Sequence, residues 1–318
     1  MAIAAGIAVV AALWAGATAS AAPLRVGVAL DGPRVGNAFA TMAVDGAMAA
    51  QRAGQATVQV ERTPGIPPDP AVLTSLAAAG NALVIAVGFD WTDTVAQVAA
   101  QFPGTDFAII DGSSGTARAA GLSNVTGILF REGQAGQLAG YLAGLTAQAD
   151  GRSVILGAVG GTRIPPVQRY IAGFSRGARL ADSGARILIR YSGAFATGAG
   201  CGTIARQMMA RGAATVFSVA GPCGDDALMA AKRAGRTGVG VDVDQSRMGP
   251  FILTSAVKRV DMATRRVITK RAAGPLPAGD MRYGLRQDAV GLGRISPHVP
   301  KSVRTKVTAL ERRMKASG

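Results

Sequence analysis

Val239-Gly-Val-Asp-Val-Asp-Gln245 is an apolar, β-branched run that ends in two acids, Asp242 and Asp244. A strand covered on both faces of a parallel sheet reads as such a run, and open α/β sheets bind their ligands outside the carboxyl ends of the strands. A second segment of this kind, Leu253-Thr-Ser-Ala-Val-Lys-Arg-Val-Asp261, brings Lys258 toward the same crevice. A carboxylate and an ammonium at neighbouring strand ends suit a polyhydroxylated ligand. Both make charge-assisted hydrogen bonds, and each offsets part of the other's desolvation. A purely structural ion pair fits the same residues, and the pattern alone does not choose between the two.

Working outward, strand-like and helix-like segments alternate along the chain. Residues 24–30, 58–62, 83–87 and 106–110 read as strands, separated by helical patterns over 41–53, 71–79 and 94–101. The second half repeats the series, with strands over 153–159, 186–191 and 215–220 and helices over 134–146, 166–181, 204–211 and 225–234. This is an α/β chain of two tandem lobes, with the cleft between their sheet ends as the place for a ligand. A length of 318 residues suits two domains rather than one core. Residues 283–293 read as a short hairpin and 300–315 as a final amphipathic helix.

Met1 to about Ala22 is an apolar, Ala-rich run ending in Ala19-Ser-Ala21, the pattern of a secretory leader with a small-residue cleavage site. No Cys follows it. The expectation is therefore an exported, periplasmic chain that is not a lipoprotein. The formal net charge of +15 raises the question of nucleic acid. The basic residues are scattered, however, and lack interleaved aromatics or a recognition-helix pattern, so they read as a solvated surface. Attraction to anionic lipid headgroups is the other use of such a charge.

Enzyme signals fail. Gly173-Phe-Ser-Arg-Gly177 matches a nucleophile elbow formally, but that motif needs strand, turn and helix, and Ser175 sits inside one helical pattern. His298 is the sole histidine, in a Pro-flanked loop. One His and two widely spaced Cys match no zinc pattern, and no G-x-G-x-x-G occurs. No catalytic residue, metal or cofactor is expected. Cys201 and Cys223 both lie at Gly-rich strand-to-helix turns; an even count in an oxidising compartment fits a bridge, and two free thiols near the crevice is the other reading.

Several blocks resemble the basic membrane protein family, the substrate-binding proteins of ABC importers that include the purine nucleoside receptors. They are Asn124-Val-Thr-Gly-Ile-Leu-Phe-Arg-Glu132 with Leu138-Ala-Gly-Tyr-Leu-Ala-Gly144, Gly157-Ala-Val-Gly-Gly-Thr-Arg-Ile-Pro-Pro166, Tyr191-Ser-Gly-Ala-Phe195, Val219-Ala-Gly-Pro-Cys-Gly224, and the two segments that opened this section. They occur in the family's order over nearly all of the chain after the leader. The resemblance implies a type I periplasmic binding protein fold, two Rossmann-like lobes joined by crossover strands. It places 24–130 plus about 252–284 in an N-terminal lobe, and 131–251 plus about 285–318 in a C-terminal lobe.

The resemblance also implies a site. Phe39 and Phe195 would sandwich a flat base, one from each lobe. Asp31 would help bind the ligand, and Asp93 would accept hydrogen bonds from the base edge, although an N-cap role fits Asp93 equally. Asp242 and Lys258, with a backbone group near Gly221, would hold sugar hydroxyls. The family's Asn after the first-lobe Phe is Ala40 here, so Asn37 is the substitute polar group, and Gly32-Pro-Arg-Val-Gly36 replaces the usual Gly-rich, acidic approach. The implied function is binding of a purine nucleoside or related heterocycle by a monomer that serves an ABC permease and binds no nucleic acid. The alternatives are another flat ligand such as a flavin, or an adhesion or sensor protein that keeps the fold without transport.

Overall fold

A computed structural model describes residues 22–32, 36–63 and 65–317. The leader is thus outside the described residues except for Ala22. In the first lobe, β1 (Leu24–Leu30), β2 (Ala56–Arg62), β3 (Leu83–Val87), β4 (Asp106–Ile110) and β5 (Val125–Phe130) alternate with α1 (Ala38–Arg52), α2 (Pro70–Ala78), α3 (Thr92–Ala99) and α4 (Gly115–Ala119). The run Leu83-Val-Ile-Ala-Val87 is buried throughout, as is Asp106-Phe-Ala-Ile-Ile110, which is why both become inner strands of a sheet covered on two faces. Asn37 caps α1 by accepting from the Ala40 N–H at 3.2 Å, and Asp69 caps α2 ahead of Pro70.

The second lobe contains β6 (Ile155–Gly160), β7 (Arg186–Tyr191), β8 (Thr215–Val219), β9 (Thr237–Asp242) and β10 (Ile252–Lys258). Its helices are α5 (Glu132–Ala149), α6 (Pro165–Ala181), α7 (Cys201–Ala210) and α8 (Gly221–Arg233). The chain then runs through α9 (Val260–Ala273), β11 (Gly279–Tyr283), β12 (Val290–Leu292) and α10 (Lys301–Ser317). The two six-stranded sheets have orders β11-β5-β4-β3-β1-β2 and β12-β10-β9-β8-β6-β7. These orders correspond strand for strand, so each lobe repeats the other's plan. The last strand of each sheet breaks the likeness: β11 pairs parallel to β5, whereas β12 pairs antiparallel to β10.

Two expectations are corrected here. The return to the first lobe comes after Lys258, not near residue 252, because β10 stays in the second sheet beside β9. Only then does α9 pack against α1. Residues 283–293 are likewise not a hairpin, since β11 and β12 belong to different sheets. An alternating run records that a strand has a buried face, not which sheet buries it. The crossovers sit side by side: the Arg131 N–H donates to the Tyr283 carbonyl and the Arg259 N–H to the Ala289 carbonyl, both at 2.8 Å.

Glycine lets the crossover helices approach closely. A Cβ on Gly140 would lie 2.0 Å from the Phe174 carbonyl oxygen, and one on Gly177 would lie 1.9 Å from that of Gln137, so α5 and α6 meet backbone to backbone. Gly46 plays the same part between α1 and α9, against the Asp261 carbonyl. One apolar cluster runs from the inner faces of both sheets through these helices, and separate clusters cover the outer face of each sheet.

Candidate ligand cleft

The carboxyl ends of the strands of both lobes enclose a cavity of about 560 Å³, within the ordinary range for small-molecule sites. The first lobe contributes Asp31, Asn37, Phe39, Phe89, Asp90 and Asp111; the second contributes Val167, Tyr170, Phe195, Gly221, Asp242 and Lys258, among others. Seven of the eight sequence candidates therefore share one cavity. Asp93 does not. It lies exposed in the first turn of α3, where its carboxylate accepts from the Thr116 hydroxyl at 3.2 Å, and Asp90 lines the cavity instead. The N-cap position of α3 is Trp91, so Asp93 is not the cap either.

Lys258, 2% exposed, is the electrostatic centre. Its ammonium lies 2.5 Å from Asp111 Oδ2 and 3.5 Å from Glu132 Oε1, and Arg169 meets the other Glu132 oxygen at 2.6 Å. Three aromatic faces surround the same nitrogen, Phe39, Phe130 and Tyr170, at 5.2, 5.3 and 5.5 Å from their centroids. Burial works against its charge, but Asp111, Glu132 and Asp242 outweigh it and hold the lysine above its ordinary pKa. The pair with Asp111 spans the two lobes, from the end of β10 to the end of β4.

Asp111 directly follows β4 and Asp242 ends β9, corresponding strands of the two sheets, and both adopt the left-handed conformation, with φ of 66° and 62°. Asp tolerates that region better than most residues, and the turn aims each carboxylate across the strand ends. Asp242 accepts from the Tyr170 hydroxyl at 3.4 Å. Burial raises its pKa, with Lys258 and the Tyr170 hydroxyl opposing. Asp111 Oδ1 is buried without a partner among the described residues, which leaves an acceptor on the wall of the cavity. Asp31 is pushed up to about 7, first by burial and then by the charge of Asp90; burial also raises Asp90.

The site residues missed in the sequence were Asp90, Asp111, Tyr170 and Glu132. The Asp-Gly pair at the end of β4 offered the same signal as Asp242, an acid closing an apolar run. Glu132, fully buried, carried no such signal, because its partners come from residues 169 and 258. Phe195 rests against the backbone of Gly161, where a Cβ would come within 2.4 Å of its ring. Only glycine leaves that seat free. Ser175, the formal elbow serine, is buried within α6 and donates to the Ile171 carbonyl at 2.9 Å. The cleft thus combines three phenyl rings, Phe39 and Phe89 from one lobe and Phe195 from the other, with four aspartates and one lysine. It can stack a flat ring and hold donors, and it disfavours anions.

Comparison with known proteins bears on family and fold. The model of the ABC transporter substrate-binding protein PnrA-like family, Bmp, matches residues 24–315. A CD4+ T-cell-stimulating antigen of Listeria monocytogenes is 31% identical over 243 residues, 71% of this chain and 66% of that protein. An ABC transporter nucleoside-binding protein, BmpA, of Lactococcus lactis is 27% identical over 67% of this chain and 64% of its own length. The chain thus spans under two thirds of these relatives. A solute-binding protein of an ABC transporter system from Aeropyrum pernix superposes with a TM-score of 0.80 at 24% identity, covering 93% of this chain and 92% of that one. The fold is the type I periplasmic binding protein fold.

One expectation is overturned by the same comparison. An uncharacterized lipoprotein of Pyrococcus furiosus is 32% identical over 66% of this chain and 54% of its own length, and those of two further Pyrococcus species match at similar identity. The reading of a periplasmic chain that is not a lipoprotein is therefore withdrawn. An anchor would lie outside the folded lobes, so neither the cleft nor the strands carry information about it. Among the described residues no helix is long and apolar enough to cross a membrane. The family consists of ABC transporter substrate-binding proteins, which are not enzymes. By the match over residues 24–315 and the cleft between its paired lobes, the chain belongs to the PnrA-like family of ABC transporter substrate-binding proteins.

Proposed function

We propose that the chain binds a purine nucleoside, or a flat heterocycle carrying hydroxyl groups, between its lobes and delivers it to an ABC permease. The observation that carries this reading is the composition of the cavity wall. Phe39 and Phe195 come from opposite lobes, acceptors lie to one side at Asp31 and Asp90, and the half-buried Asp242 and the buried Lys258 lie in the second lobe. The rings hold the base by stacking, and the Asp31 and Asp90 carboxyls accept from its edge. Asp242 accepts from sugar hydroxyls, and the Asp111 acceptor lies next to the Lys258 ammonium. The nucleoside-binding name of the lactococcal relative supports the same ligand class. Lobe closure would expel water from the stacked faces and strengthen each polar contact.

Calorimetric titration with inosine, guanosine, adenosine, hypoxanthine, riboflavin and ribose tests the proposal. Nucleosides should bind more tightly than hypoxanthine or ribose. Binding of ribose alone would remove the stacking argument, and a preference for riboflavin would move the assignment to a flavin.

A further inference from the structure

Phe195 is carried by residues 192–200, between β7 and α7, a segment without helix or strand. Gly193, Gly198 and Gly200 within it all adopt positive φ. Such a segment is costly to order, because glycine loses the most backbone freedom on folding. Its first residues are held by the loop after β6, where the Ser192 and Gly193 N–H groups donate to the Gly160 and Gly161 carbonyls at 2.9 and 3.2 Å; from Phe195 onward it is held by the start of α8. The Cys223 N–H donates to the Phe195 carbonyl at 2.9 Å, and Asp226 Oδ2 accepts from the Gly198 N–H at 3.3 Å. Cys201, the first residue of α7 and the next after the segment, is joined to Cys223 by a disulfide. Both cysteines are fully buried. The same turn of α8 gives Gly221 and Pro222 to the cavity wall, and a Cβ on Gly221 would lie 3.5 Å from that of Phe195.

We propose that the Cys201–Cys223 disulfide is a positioning device for the Phe195 wall of the cleft. It holds the end of the glycine-rich segment against the α8 turn, which keeps the Phe195 carbonyl on the Cys223 N–H and the ring in place before a ligand arrives. This assignment rests on the reading that Phe195 stacks on the ligand. A bridge that only staples the chain raises stability but leaves the affinity of folded molecules unchanged. A bridge that preorganises the wall raises affinity as well.

The test compares the wild type with Cys201→Ala/Cys223→Ala, each with and without Phe195→Ala. Inosine affinity is measured well below the unfolding transition, and amide hydrogen exchange is followed on the ligand-free proteins. Loss of the bridge should weaken inosine binding about 5- to 10-fold, but less than about 2-fold once Phe195 is alanine. Exchange should accelerate over 193–200 and at position 223 and stay unchanged in β6 and β8. Unchanged affinity, an equal loss in the Phe195→Ala background, or acceleration spread over the whole second lobe overturns the proposal. Should the alanine pair unfold, Cys201→Ala/Cys223→Val refills the space left by the sulfurs and is read in the same way. If the wild type binds neither inosine nor riboflavin, the ligand reading fails, and the exchange pattern alone decides whether the bridge fixes the segment.

Discussion

Replacement of Asp242 separates recognition of the sugar from recognition of the base. Alanine is the wrong probe, because Asp242 has φ of 62° and a left-handed alanine adds strain of roughly 1–2 kcal/mol. Asparagine tolerates that conformation and keeps the shape while removing the charge. The fold should survive the change. Burial raises the Asp242 pKa, so its ionised form costs stability at neutral pH, and Lys258 retains Asp111 and Glu132. What is lost is a charge-assisted acceptor for ligand hydroxyls, worth about 1.5–3 kcal/mol, or roughly 10- to 150-fold in affinity. Asp242→Asn should therefore weaken inosine by that factor and hypoxanthine by less than about 3-fold. Paired titrations with both ligands measure the difference, with thermal melts as a control on folding. An equal loss for inosine and hypoxanthine would refute the reasoning, because the carboxylate would then contact the base or shape the lobe.

Four further outcomes follow from the same geometry. Lys258→Met removes the ammonium between Asp111, Glu132 and Asp242, leaving Arg169 on Glu132, and should cost about 3–5 kcal/mol in urea unfolding; adding Asp111→Asn should recover part of it, and a loss under about 1 kcal/mol would show the pair to be idle. Four aspartates against one lysine at the wall should make inosine 5′-monophosphate bind at least about 100-fold more weakly than inosine, so equal affinities would rule out an acidic filter. Asp31, with its pKa pushed up to about 7, holds its proton in the folded state where the unfolded chain has lost it. Its ionisation therefore lowers stability as pH rises from about 4 to about 7. Asp31→Asn should be more stable than the wild type by a margin that grows across that window to at most about 4 kcal/mol and is flat above it; a margin independent of pH, in melts at pH 4.5, 6 and 8, contradicts this. Gly161→Ala should push the Phe195 ring off its seat and weaken both inosine and hypoxanthine; unchanged affinity would mean that the ring does not need that position.

Much of this architecture is legible in the chain itself, because the signals are local. A parallel strand buried on both faces must be apolar along its length, as Leu83–Val87 and Asp106–Ile110 nearly are, and glycines and caps punctuate the helices between. Asp242 and Lys258 stand out for the same reason, as charges that close apolar runs. Other features are decided at a distance. Whether Asp90 or Asp93 faces the cleft depends on the short turn Phe89–Trp91 and on Trp91 being buried in the outer layer of the first sheet. The partner of Lys258 lies 147 residues away in the other lobe, and only the crossovers after β5 and β10 bring Asp111 to it. Residues 283–293 have the alternation of a hairpin, yet their two arms join different sheets. Local pattern thus marked most of the strands and helices, and Asp242 and Lys258 as charges at strand ends. The sheet that receives each strand, and hence which charges meet across the cleft, follows from packing two lobes whose crossovers share one hinge, a constraint that no window of sequence contains.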